Sequence, residues 1–169
     1  MREREGMTKI VRVFSNAVFG FSLIFGFYVV LHGHLTPGGG FQGGAIMASA
    51  VALLIIAYGP GVAGKRIKKG ALSTMESIGL LGFILLAIAG IASAMSVIFG
   101  NFLLDNPLKI FSKIPPQGPN PGFLNTAGTL PWMSLFVGLE VLAGISLIVM
   151  HMAKGLPGEI KGEKGGETK

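Results

Sequence analysis

The sequence predicts an all-α membrane protein of four transmembrane helices, and three observations carry that prediction. Four apolar runs approach or exceed the length of about 20 residues that a helix needs to cross a bilayer. Half of the chain is hydrophobic and only 13% is charged, with a mean hydropathy of +0.65, which excludes disorder and an ordinary soluble domain. The basic residues also alternate between connections. Arg2, Arg4, Lys9 and Arg12 precede the first run, Lys65, Arg66, Lys68 and Lys69 follow the second, and Lys154, Lys161, Lys164 and Lys169 follow the fourth. The first and third connections hold only Lys109 and Lys113. Twelve against two is the positive-inside pattern for four spans with both termini cytoplasmic in the cell (plasma) membrane.

The elements follow in order. Residues 1–12 form a short charged lead with no small-residue cleavage site after the first apolar run, so no signal peptide is expected. The transmembrane domain covers 13–152, with spans at about 13–31, 43–59, 74–99 and 131–152. Arg12 is placed to snorkel at the entrance of the first span, whose Ser15 and Asn16 are expected to face protein. The second span ends at Pro60 and is short, so it either thins the bilayer or leaves part of the preceding glycine loop at membrane depth. The connection 100–130 is a long outer loop with Pro107, Pro115, Pro116, Pro119 and Pro121, and its apolar residues favour docking over floating free. Trp132 suits the interfacial belt. Residues 153–169 are a charged cytoplasmic tail.

The first outer connection is unlike a solvated linker. His32-Gly33-His34-Leu35-Thr36-Pro37-Gly38-Gly39-Gly40-Phe41-Gln42-Gly43-Gly44 carries six glycines, two of the three histidines and no formal charge. Pro37 fixes one φ and biases Thr36 toward extended geometry, so the stretch reads as a shaped glycine loop packed against a partner or lining an ion entrance. His32 and His34 make at most half a metal site, with no carboxylate nearby, and no metal is expected. Residues 38–43 match G-x-G-x-x-G formally. No strand precedes them and no acidic residue follows, which excludes dinucleotide binding. The chain has no cysteine, so it holds neither a disulfide nor a thiolate-ligated iron–sulfur cluster. No cofactor is expected. The net charge of +6 flanks apolar runs and so points to anionic lipid, not nucleic acid.

Three residues are candidates for an ion path. Glu140 lies near the middle of the fourth span, where a carboxylate costs about 2.5–3.5 kcal/mol on insertion scales and therefore needs a partner or a bound proton. It reads either as a relay or ion-binding carboxylate or as interhelical glue. His151, eleven residues on, shares its face. Glu76 fits a capping box with Ser73 as N-cap of the third span, a structural role that explains it without transport. Small residues (Gly79, Gly82, Gly90, Gly138 and Gly144 among them) permit close helix approach. The spans hold too few polar groups for a complete ion path.

The stretch from Leu31 to Gly44 resembles the signature of the MnhB/MrpB-type subunit of multisubunit sodium/proton antiporters, and the likeness in layout extends over about residues 10–152. Related subunits occur in archaeal membrane-bound hydrogenases and sulfur-reducing complexes, where an antiporter-like module joins a redox module. The resemblance implies a non-catalytic accessory subunit, partnered by other membrane subunits, that contributes to assembly and, in the fuller reading, to the ion path. Two alternatives stand beside it. One is the same subunit in a hydrogen- or sulfur-driven respiratory complex; the other is a purely structural assembly subunit with no ion path.

Overall fold

The computed structural model describes residues 7–35, 38–92, 98–103 and 127–154. Among these, every regular element is helical: α1 (Lys9–Leu31), α2 (Gly39–Tyr58), α3 (Pro60–Arg66), α4 (Lys69–Ala92) and α5 (Leu130–Lys154). Four of them, all but α3, are long and apolar enough to cross a membrane. At 1.5 Å per residue they measure roughly 30–38 Å, the thickness of a hydrocarbon core and its margins. The chain is thus a multi-pass membrane protein. Residues 1–6 of the expected lead, most of the long third connection and residues 155–169 of the tail lie outside the described residues.

The four long helices stand in a row, α1–α2–α5–α4, and contacts between α1 and α5 are slight. Close approaches set the directions. Gly26 meets Gly43 and Gly33 meets Gly39, so α1 and α2 are antiparallel. Gly40 meets Ser134 and Gly44 meets Gly138, so α2 and α5 are parallel, while Gly79 meets Glu140 and Gly82 meets Phe136, so α4 and α5 are antiparallel. The starts of α1 and α4 and the ends of α2 and α5 therefore share one end of the row, called here the basic end for Lys9, Arg12, Lys65, Arg66, Lys68 and Lys69.

Helix α2 is the centre. Half of its apolar window is buried, against 17% for α1 and 11% for α4. Toward the basic end, Val51 and Ile55 of α2 pack with Ala63 of α3, Leu72 of α4, and Ala143 and Met150 of α5. Pro60 starts α3, where its missing N–H costs nothing. That short helix lies across the end of the row and carries the chain past α5 to α4.

Two expectations about element ends are corrected. Gly39–Gly44 are not loop but the first turns of α2, which has 20 residues and needs neither a thinned bilayer nor loop at membrane depth. Glycine inside a helix costs roughly 0.5–1 kcal/mol each, which is why the stretch reads as a breaker. Here that cost is offset by two neighbours that reach the bare backbone. Gly38 caps the helix at φ 81, a left-handed conformation that glycine adopts freely. The second correction is at α4, which starts at Lys69, four residues before Ser73. Leu72 is buried in the core, so its packing holds the first turn helical, and Ser73 accepts as an ordinary helix carbonyl from the Ser77 hydroxyl at 2.9 Å. The capping-box role of Ser73 and Glu76 is lost.

Candidate functional site

Removing Glu76 from the cap places it beside Glu140. A β-carbon built on Gly144 of α5 would lie 3.4 Å from Glu76 Oε1, and one built on Gly79 of α4 would lie 2.9 Å from Glu140 Cβ. The two acids therefore occupy opposite helices of one contact, each level with the other helix's glycine and offset by about one turn, 5–6 Å. Both are half-buried, and among the described residues neither carboxylate has a hydrogen-bond or ion-pair partner. Phe136 lies over Gly82 one turn beyond, closing the contact toward the loop end. Two acids facing each other across one contact between apolar helices make this contact the candidate functional site.

His151 is on the Glu140 stripe, as its spacing implies, but at the basic end. It is exposed, and its Nδ1 donates to Leu147 O at 2.8 Å, so the ring is turned onto its own helix. It is not brought to the carboxylates.

The glycine stretch divides in two. Gly40 and Gly44 face α5, where added β-carbons would meet Ser134 O at 2.6 Å and Gly138 O at 2.7 Å. Gly39 and Gly43 face α1, where Gly43 would meet Gly26 O at 2.5 Å. These four are buried, whereas Phe41 and Gln42 point outward and Phe41 is 59% exposed. The stretch is thus a two-sided helix-packing surface with an outward Phe-Gln pair. His32 lies over the Tyr28 ring at 4.1 Å, and its Nδ1 donates to Tyr28 O at 3.0 Å. Both ring nitrogens of His34 are buried, with no hydrogen-bond partner among the described residues. Thr36 and Pro37 lie outside the described residues.

Two constellations escaped the sequence reading. Asn101 ties the two ends of the long connection together: its Oδ1 accepts from the Thr129 amide at 2.7 Å and the Thr129 hydroxyl at 3.1 Å, and its Nδ2 donates to Ala127 O at 3.2 Å. Gly128 between them has φ 62, and a β-carbon there would collide with the Asn101 amide. At the basic end, Tyr58 gathers Asn16, Arg12 and Arg66. Asn16 Nδ2 donates to the phenol oxygen at 2.7 Å, and the two guanidinium carbons lie 5.5 and 4.8 Å from the ring centroid. A tyrosine before Gly-Pro, in a chain with only two tyrosines, was the available signal.

Residues 10–147 match a family model described as a domain related to the MnhB subunit of Na+/H+ antiporters. An uncharacterized protein of Methanocaldococcus jannaschii is 41% identical over 121 residues, 72% of this chain and 43% of that protein. A Na+/H+ antiporter subunit of Bacillus subtilis is 34% identical over 107 residues, 63% of this chain and 66% of that one. Among solved structures, a chain of the membrane-bound sulfane sulfur reductase, an archaeal respiratory membrane complex, superposes with a TM-score of 0.67 at 29% identity, over 90% of this chain and 60% of that one. The present chain thus spans less than half of the M. jannaschii relative.

Proposed function

We propose, from the premise that the chain belongs to the family of domains related to the MnhB subunit of Na+/H+ antiporters, that it is a non-catalytic accessory subunit of a multisubunit cation/proton antiporter module. The observation that carries an ion-handling role is the Glu76–Glu140 pair across the α4–α5 contact. Each carboxylate at membrane depth costs about 2.5–3.5 kcal/mol, so an acid pair on one helix contact marks a candidate ion pathway. The described helices carry no further acid, so the remainder of the path lies on partner membrane subunits. In this reading the basic end faces the cytoplasm of the plasma membrane, as the Lys/Arg asymmetry requires.

The likeness to the sulfur-reductase chain supports a second setting for the same role. There the subunit sits in a respiratory complex, and redox chemistry on other chains drives the ions. This chain's part is unchanged.

The test is transport by the assembled complex reconstituted in liposomes, with the chain alone as control. The isolated chain gives no Na+-for-H+ exchange, and exchange by it alone would sink the accessory assignment. Glu140→Gln assembles but loses coupled transport. If that variant assembles and transports normally, the acid is interhelical glue and the protein serves as a scaffold.

A further inference from the structure

We propose that water reaches the Glu76–Glu140 pair from the basic end alone, and that Phe136, seated in the notch Gly82 leaves in α4, is the barrier on the loop side. That this end loads the pair rests on the ion-handling reading proposed for it.

The two sides of the pair differ along the helix contact. Toward the loop end, a β-carbon built on Gly82 would collide with the Phe136 ring, so the ring fills the space that the glycine leaves bare. Phe136 precedes Glu140 by one turn on the same face of α5. Its carbonyl oxygen lies against Gly79, 2.8 Å from a β-carbon built there. A ring packed onto bare backbone excludes water, as close-packed protein interiors do. Toward the basic end, Gly144 follows Glu140 by one turn. The nearest group to a β-carbon there is Glu76 Oε1 at 3.4 Å, and among the described residues no other atom across the contact comes within 4 Å. That notch is occupied by the carboxylate itself.

The bare surface of α4 changes character at the same level. Before Gly79 it includes three hydroxyls, those of Ser73, Thr74 and Ser77. Thr74 and Ser77 donate to Gly70 O and Ser73 O, both at 2.9 Å, which leaves their oxygens able to accept from water. Beyond Gly79 the large exposed side chains of α4 are Leu80, Leu81, Ile84, Leu85, Ile88 and Ile91, all aliphatic. Glu76 lies seven residues from the start of α4 and sixteen from its end, roughly 10 Å against 24 Å. The short way to the acids therefore runs past hydroxyls, and the long way past hydrocarbon and a phenyl ring. An apolar constriction of that kind stays dry.

The experiment exploits the absence of cysteine from the chain. Gly144→Cys places one thiol beside the Glu76 carboxylate and leaves both acids in place. The variant is assembled in its full complex and held in sealed membrane vesicles of each orientation. Lys65→Cys, exposed at the basic end, marks the orientation that presents that end. A membrane-impermeant cationic methanethiosulfonate is added outside, and modification of this chain is followed by mass.

Gly144→Cys labels faster from the basic end by about tenfold or more, the ratio that a barrier difference of roughly 1.4 kcal/mol gives. Adding Phe136→Ala opens labelling from the loop side. Phe136→Leu opens it less, and is the variant read where the alanine form loses a subunit. Comparable rates from both sides, labelling from the loop side only, or labelling from neither would overturn one-sided access. A loop side that stays closed in both Phe136 variants would overturn the ring as barrier. Coupled transport is read separately. Normal exchange by Glu140→Gln would overturn the ion-handling reading, and with it loading from this end, even where labelling is one-sided. Two-sided labelling with exchange lost in Glu140→Gln would overturn the access alone.

Discussion

Gly79 of α4 lies against Glu140 of α5 so closely that a β-carbon on the glycine would stand 2.8 Å from the glutamate's backbone nitrogen. The same contact repeats one turn away in reverse, with Gly144 of α5 facing the carboxylate of Glu76. Each helix gives up a side chain where the other carries an acid. That reciprocity lets two helices touch at backbone distance while keeping both carboxylates inside the contact, and it explains why small residues and acids coincide in these spans.

Gly79→Val therefore separates α4 from α5. The obstructing atoms are backbone, Phe136 O at 2.8 Å as well as the Glu140 nitrogen, so no side-chain rotation relieves the clash. A loss of about 1–3 kcal/mol is expected from overpacking, read as a lowered midpoint of thermal unfolding in detergent. Gly20→Ala is the matching control. Nothing lies within 4 Å of a β-carbon there, so the change should leave stability unaltered or raise it by up to about 1 kcal/mol through helix propensity.

At α2 the glycines on opposite faces separate two interfaces. Gly44→Val would strike Gly138 O and Val141 of α5, whereas Gly43→Val would strike Gly26 O and Val30 of α1. Each is expected to cost about 1–3 kcal/mol. Distance measurements between labelled helices should show α5 displaced in the first and α1 in the second. Displacement of the same helix in both would refute the two-sided packing.

The number of spans and the alternation of charge were legible in the sequence because both follow from local composition. The role of Gly39–Gly44 was not, because intrinsic propensity marks them as loop and only the approach of α1 and α5 makes them helix. The capping reading of Glu76 failed for a related reason: Ser73-x-x-Glu76 reads equally as a cap or as helix interior, and the burial of Leu72 decides it. Glu140 was legible from its depth alone. Its partner across the contact was not, since pairing between α4 and α5 depends on helix direction and rotation. Asn101 and Thr129 are 28 residues apart, a relation that no periodicity encodes.

That long-range tie makes its own prediction. Thr129 is 1% exposed, and its amide and hydroxyl both donate to Asn101 Oδ1. Asn101→Ala strands those donors and is expected to cost about 1–3 kcal/mol, the penalty for a buried unsatisfied group. Asn101→Asp keeps the acceptor and should cost less, losing only the bond to Ala127 O. Limited proteolysis of the complex should cut the connection between 103 and 127 faster in the alanine variant, and equal rates in both variants would show that the tie does not restrain it.

The last prediction concerns whether Glu76 and Glu140 act as one unit. If they share a single proton or cation across the contact, either Gln variant alone removes the function, and the double variant is no worse than the singles. If they serve separate steps or only glue the helices, the two losses multiply or are both absent. Coupling of this kind is what a double-mutant cycle measures, and residues sharing one partner depart from additivity by about 0.5–3 kcal/mol. Coupled Na+/H+ exchange by the reconstituted complex is the readout, with subunit composition checked in each variant so that lost assembly is not taken for lost transport. Exchange that falls tenfold in each single variant and a hundredfold in the double would separate the two acids, because each such factor is worth about 1.4 kcal/mol and independent factors add in free energy.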